Sequence, residues 1–192
     1  MGTDVGTVDQ TIVRYNISQN DKRGLLVFAS GNPTNTEIYN NTFYVGNGTG
    51  TEIVTKAGNA GNHAWSFYNN ILHNFSTGGY DSGVGGMISD YNVYYGNHPS
   101  GEPNEAHKLM SDAMFVNAGS ATIGRTTVDG YKLLAGSPAL GSGKVIANNG
   151  GKDYWGNSVS ATAAPNRGAY NGAGVAGTLN KISNPGFESG VL

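Results

Sequence analysis

Hydrophobic and polar positions alternate in short runs of four or five residues along the first half of the chain, and each run carries an Asn at a fixed place. The runs are Val13-Arg14-Tyr15-Asn16-Ile17, Ile38-Tyr39-Asn40-Asn41-Thr42, Phe67-Tyr68-Asn69-Asn70-Ile71 and Ser89-Asp90-Tyr91-Asn92-Val93. The anchoring residues Asn16, Asn41, Asn70 and Asn92 follow one another at intervals of 25, 29 and 22 residues. Strict alternation over so few residues predicts strands. Self-similarity at roughly 20–50 residues predicts stacked repeats, each unable to bury its apolar face alone. Apolar or β-branched residues three before the Asn (Val13, Ile38, Phe67, with Ser89 last) and one after it (Ile17, Thr42, Ile71, Val93) are expected to face the interior. The Asn side chains then form a hydrogen-bonded column at one bend, as in other β ladders.

Second strands are expected between the Asn runs, at 24–28, at 51–55 and at Gly86-Met87-Ile88. Turns rich in Gly, Asn and Pro, such as Gly31-Asn32-Pro33 and Gly46-Asn47-Gly48, separate them and supply positive-φ positions. Only residues 105–114 hint at a 3.6-residue period, so little helix is expected. The reading is an all-β, right-handed parallel β-helix, a solenoid with an irregular C-terminal capping segment. Residues 1–96 form the Asn-marked repeats, 97–175 the terminal turns and cap of the same domain, and 176–192 a linker into a following β-sandwich module.

The capping part carries a succession of short motifs. Asp112-Ala113-Met114-Phe115-Val116-Asn117 is followed by Ser137-Pro138-Ala139, by Asp153-Tyr154-Trp155-Gly156 and by Gly168-Ala169-Tyr170. This order resembles the C-terminal end of bacterial right-handed parallel β-helix proteins of polysaccharide-active systems. In size and modular setting the chain is similar to the β-helical xylan-binding modules of some xylanases. The segment 182–190 resembles the opening strand of a β-sandwich carbohydrate-binding module. The resemblance implies a non-catalytic, secreted, monomeric module of a multimodular bacterial enzyme, with xylan as the first ligand expected. Catalytic and non-catalytic β-helices share the same ending, so fold analogy alone does not fix function.

Composition narrows the partner. The net charge is −2 and charged residues make up 12% of the 192. No basic field exists to hold nucleic acid or an anionic membrane, and a strongly anionic polymer finds little attraction either. A neutral or weakly charged polysaccharide fits better, and xylan or a related hemicellulose is what the resemblance implies. There is no Cys, so thiolate chemistry and Cys-based metal sites are excluded. Met1-Gly2 is followed by polar residues rather than a signal peptide, which reads as an excision point in a longer secreted chain.

Catalytic signatures are weak. Polysaccharide hydrolysis commonly uses two carboxylates roughly 5–9.5 Å apart. Asp21, Glu37, Glu52, Asp81 and Asp90 occupy non-equivalent repeat positions, so no pair is expected. The scattered bases Arg14, Lys22, Arg23 and Lys56 do not form a lyase site, and no acidic cluster suggests calcium. His63, His73, His98 and His107 lack zinc-ligand spacing, and Gly141-Ser142-Gly143-Lys144 is turn sequence rather than a phosphate loop. No catalytic residue, metal or cofactor is assigned.

Aromatic residues carry the functional expectation instead. Two before each Asn come Arg14, Tyr39, Tyr68 and Asp90; three after come Gln19, Tyr44, His73 and Tyr95, with Trp65 and Tyr94 near them. Stacked one strand spacing apart, about 4.8 Å, exposed rings of this kind present flat apolar faces to pyranose C–H groups. The expected ligand-binding set is Tyr39, Tyr68, Trp65, Tyr44, Tyr94, Tyr95, Asp90 and Arg14. Two alternatives stay open: the C-terminal fragment of a β-helix hydrolase or lyase, for which Asp90, Glu37 and Glu52 are the acid–base candidates, and a spacer without a glycan ligand.

Overall fold

The computed structural model describes residues 10–22, 24–28, 34–56, 64–81 and 86–177. The proposed start of a β-sandwich module at 182–190, the Gly31-Asn32-Pro33 turn and His63 lie outside the described residues.

Ten short strands dominate: β1 (Ile12–Arg14), β2 (Ile17–Gln19), β3 (Leu26–Phe28), β4 (Thr36–Tyr39), β5 (Thr42–Val45), β6 (Val54–Lys56), β7 (Trp65–Tyr68), β8 (Ile71–Asn74), β9 (Met87–Asp90) and β10 (Val93–Gly96). They form three parallel sheets in the orders β1-β4-β7-β9, β2-β5-β8-β10 and β3-β6. Each strand pairs with its counterpart in the neighbouring repeat; the first two repeats pass through all three sheets in the same order, and the last two contribute strands to the first and second sheets in that order. Among the described residues the only helix is a 3-10 segment, Arg125–Tyr131, and the fold is all-β. Residues 105–114 form no helix.

The Asn column forms as the spacing requires. The backbone N–H of Asn16 and its Nδ2 donate to Asn41 Oδ1 at 2.9 and 3.0 Å. Asn41 donates in the same way to Asn70 Oδ1, and Asn70 to Asn92 Oδ1. Glu105 ends the column: its carboxylate accepts Asn92 N–H at 3.0 Å, Asn92 Nδ2 at 2.7 Å and the Tyr94 hydroxyl at 2.7 Å. Buried amides stay paired at every step, which makes this bend stiff.

The residue before each column Asn (Tyr15, Asn40, Asn69, Tyr91) has a positive φ of 51–60°. That left-handed residue resets the strand alternation, and it corrects one expectation. Positions three before the Asn do face the inner core, where Ile38 and Phe67 are buried. After the bend, however, the inward residues are Phe43, Leu72 and Tyr94, two after the Asn. Ile17, Ile71 and Val93, one after it, point outward into a second core. A second correction concerns Gly86-Met87-Ile88. Met87 and Ile88 belong to β9 and pair with Trp65 and Ser66 of β7, while Tyr80 bridges Val54 in the place of a third β3-type strand.

The second core explains the capping segment. Leu109 bridges Val93 and covers the edge of β10. Ala113, Phe115, Tyr131, Leu133, Ala139 and Tyr170 then pack over Ile71 and Val93 on the outer face of the β2-β5-β8-β10 sheet. The covering segment is pinned by Asn40 Nδ2, which donates to the carbonyls of Asn166 (2.8 Å) and Gly168 (3.3 Å), and by Asn69, which exchanges hydrogen bonds with the backbone of Lys144. The positive-φ Asn residues therefore have two uses: they turn the strand, and they hold the cap.

Candidate functional site

Both expected aromatic columns exist as columns. Arg14, Tyr39, Tyr68 and Asp90 are cross-strand partners in sequence along the first sheet. Gln19, Tyr44, His73 and Tyr95 are partners along the second. The cap covers most of both, because its own apolar residues need a surface to bury against. Tyr39 is only 1% exposed; its hydroxyl accepts from Arg14 Nη1 at 3.2 Å and donates to the Asn148 carbonyl at 3.4 Å. Arg14 is half-buried and reaches the same carbonyl at 3.5 Å. Tyr68 is half-buried with the Lys144 ammonium 3.6 Å from its ring centre.

On the other face, the Tyr44 and His73 rings lie 5.3 Å apart and those of His73 and Tyr95 4.9 Å apart. Phe115 covers His73 at 5.8 Å and Tyr131 covers Tyr44 at 6.0 Å. Tyr44 and Tyr95 are half-buried as a result. Trp65 and Tyr94, at 2% and 1% exposure, belong to the inner core and cannot meet a polymer. Of the eight residues expected to bind ligand, Tyr39, Trp65 and Tyr94 are therefore buried, which corrects the expectation that their rings are exposed.

What stays open is the last step of the first column. The Asp90 carboxylate, with a side-chain exposure of 25%, accepts the backbone N–H groups of Tyr91 (2.9 Å) and His107 (2.8 Å) through Oδ1, and its Oδ2 lies 2.9 Å from His107 Nδ1. The His107 and Tyr91 rings stack at 4.1 Å with planes 16° apart. Behind them, Arg167 Nη1 donates to the carbonyls of Asn92 (3.1 Å) and His107 (2.7 Å), and the guanidinium sits 5.5 Å from the Tyr91 ring centre. His107 is thus fixed at its N–H, its carbonyl and its ring, while its side chain stays 53% exposed.

The electrostatics follow from these contacts. Partial burial pushes the Asp90 carboxyl upward, but hydrogen bonds from the His107 side chain and backbone and from Tyr91 N–H outweigh it and hold the group below the usual carboxylate value. Burial lowers the Arg167 guanidinium, against the pull of Glu105 and Asp90. With Nδ1 engaged by Asp90, Nε2 is the remaining polar atom of the His107 ring.

This arrangement offers a flat ring face, a carboxylate and an imidazole nitrogen. It does not bring together the three carboxylates expected from sequence as acid–base candidates. Asp90 stands opposite Tyr68, Glu37 opposite Ser66 in a different column, and Glu52 accepts Gly79 N–H at 2.9 Å on another part of the chain. Among the described residues no group of three or more His, Cys, Asp or Glu is placed to hold a metal ion. No described helix is long and apolar enough to cross a membrane.

Of the site residues expected from sequence, Asp90 and Tyr68 lie here, while Tyr91 and His107 were missed. The signal for Tyr91 was its place beside a column Asn, where Asn40 and Asn69 stand in neighbouring repeats. His107 had no local signal, because its partner Asp90 is seventeen residues away in sequence.

No family model matches the chain. It is similar to Lacto-N-biosidase of Bifidobacterium longum subsp. longum, with 34% identity over 174 residues, covering 78% of this chain. The chain spans about 10% of the length of that curated relative.

Proposed function

We propose that this chain is a right-handed parallel β-helical unit of a larger, secreted carbohydrate-active enzyme, and that it binds a neutral glycan without cleaving it. The winding is supported by parallel sheets visited in constant order, since crossovers between parallel strands of one sheet are right-handed in about 98% of cases. The observation that carries the binding reading is the His107 ring, held by Asp90 and Arg167 and stacked on Tyr91 with an open outer face. A sugar C–H face packs on that ring, and its hydroxyls bond Nε2 and the spare lone pairs of the Asp90 carboxylate. The near-neutral charge favours a ligand without uronate groups. Xylan is proposed from the family resemblance; a glycan ending in lacto-N-biose is proposed from the relative's name.

A second reading takes its carbohydrate-active context from the same relative and its position from the order of motifs in residues 97–175: the chain is the C-terminal part of a β-helix polysaccharide hydrolase or lyase. Calorimetric titration with xylohexaose and with lacto-N-biose separates the possibilities. The proposal expects saturable binding of one of them, with at least one binding component weakened at least tenfold in His107→Ala at an unchanged melting temperature. Equal affinity in wild type and His107→Ala would remove this site from the account.

A further inference from the structure

The turn at Asp153-Tyr154-Trp155-Gly156 closes the cap, and its geometry exceeds what a turn requires. Trp155 is held at three points. Its backbone N–H donates to Asp153 Oδ1 at 2.9 Å, its Nε1–H donates to Asp129 Oδ1 at 2.8 Å, and its ring meets the Tyr170 ring edge-on at 5.4 Å. The Tyr154 ring stands against it at 5.0 Å and 68°, forming an open corner. Lys132 pairs with Asp129 Oδ1 at 3.0 Å and brings its ammonium 5.8 Å from the indole centre. Trp155 and Tyr154 are half-buried.

A large apolar ring is normally either buried or free to move. Here the rotamer is locked by hydrogen bonds and one side of the ring packs against the second core, while the residue stays partly exposed. Such pre-organisation costs nothing further when a ligand arrives, which is what a binding platform requires. The flanking groups match the ring: Asp129 Oδ2 is an acceptor for hydroxyls, and Lys132 Nζ is a donor beside it.

We propose that the Trp155 corner is a second glycan-binding site, taking one pyranose of a neutral oligosaccharide against the indole with Asp129 and Lys132 on its hydroxyls. The inference rests on the reading of the chain as a glycan-binding unit, but on none of the residues at His107. Two binding points on one rigid unit raise avidity for a polymer long enough to reach both.

The chain has two tryptophans, and the other, Trp65, is buried in the inner core, so ligand-induced changes in emission report Trp155. The test is a fluorescence titration with xylohexaose and with lacto-N-biose on wild type, Asp129→Ala and His107→Ala, with thermal melts as folding controls. The expected result is a saturable emission change with one sugar, kept in His107→Ala and weakened at least tenfold in Asp129→Ala at an unchanged melting temperature. An emission change unaltered by Asp129→Ala, or none with either sugar, overturns the site. In the second case, binding heat that is lost in His107→Ala leaves the Asp90–His107 site standing.

Discussion

Asn70 sits at the middle of the column and shows how much one amide can hold. Its Oδ1 accepts from Asn41 N–H and Nδ2, while its own Nδ2 donates to Asn92 Oδ1 and the Ile38 carbonyl, all buried. Asn70→Ala leaves several of these groups unpaired at about 1–3 kcal/mol for each one unsatisfied. A denaturant midpoint lowered accordingly is the expected measurement, with the slope unchanged. His73 is the second telling residue. Its Nδ1 is buried without a hydrogen-bond partner among the rings of Tyr44, Phe75, Tyr95 and Phe115. Burial lowers its pKa from 6.5, against an opposing pull from Asp112. The unfolded chain therefore takes up this proton at higher pH than the folded one. The contribution is complete above about pH 6.5, declines as pH falls through that value, and levels off below the folded pKa. Melting temperatures across pH 7.5 to about 5 should fall less steeply in His73→Phe than in wild type. The Asn spacing was legible because a column residue must recur once per repeat. The orphaned His73 was not, since Phe115, which covers it, lies in the cap.

At the scale of elements, alternation within each strand was readable and the change of phase at the bend was not. Val13, Ile38 and Phe67 face inward as the pattern requires. Simple alternation continued through the bend would miss the left-handed residue at Tyr15, Asn40, Asn69 and Tyr91, which moves every following side chain to the other face. The same bend explains why Ile17, Ile71 and Val93 need a cover. The order of motifs in residues 97–175 announced a cap, but not that it folds back across both outer faces. Arg167 is its main fastening, bonding Ser142, Asn92 and His107 at once. Arg167→Met removes charged hydrogen bonds to buried carbonyls, at about 1.5–3 kcal/mol. Hydrogen exchange should then quicken at Gly143, Gly168 and Leu109 before it changes in β5 and β8. Simultaneous loss of protection in cap and strands would mean that the two unfold as one unit.

For the whole molecule, the cap decides what is surface. Most of the aromatic columns that alternation places outside are claimed by residues 97–175, and the glycan contacts proposed above fall to two partly exposed rings of that same segment, His107 over Tyr91 and Trp155. The most direct test of a glycan-binding, non-cleaving unit is native affinity electrophoresis in gels containing xylan or mixed-linkage glucan, or a polymer displaying lacto-N-biose, with product release assayed from the same mixtures. The account predicts retardation by one of these polymers, weakened in His107→Ala, with no new reducing ends. Products released by the purified chain would contradict it and return Asp90, Glu37 and Glu52 to the centre of the question.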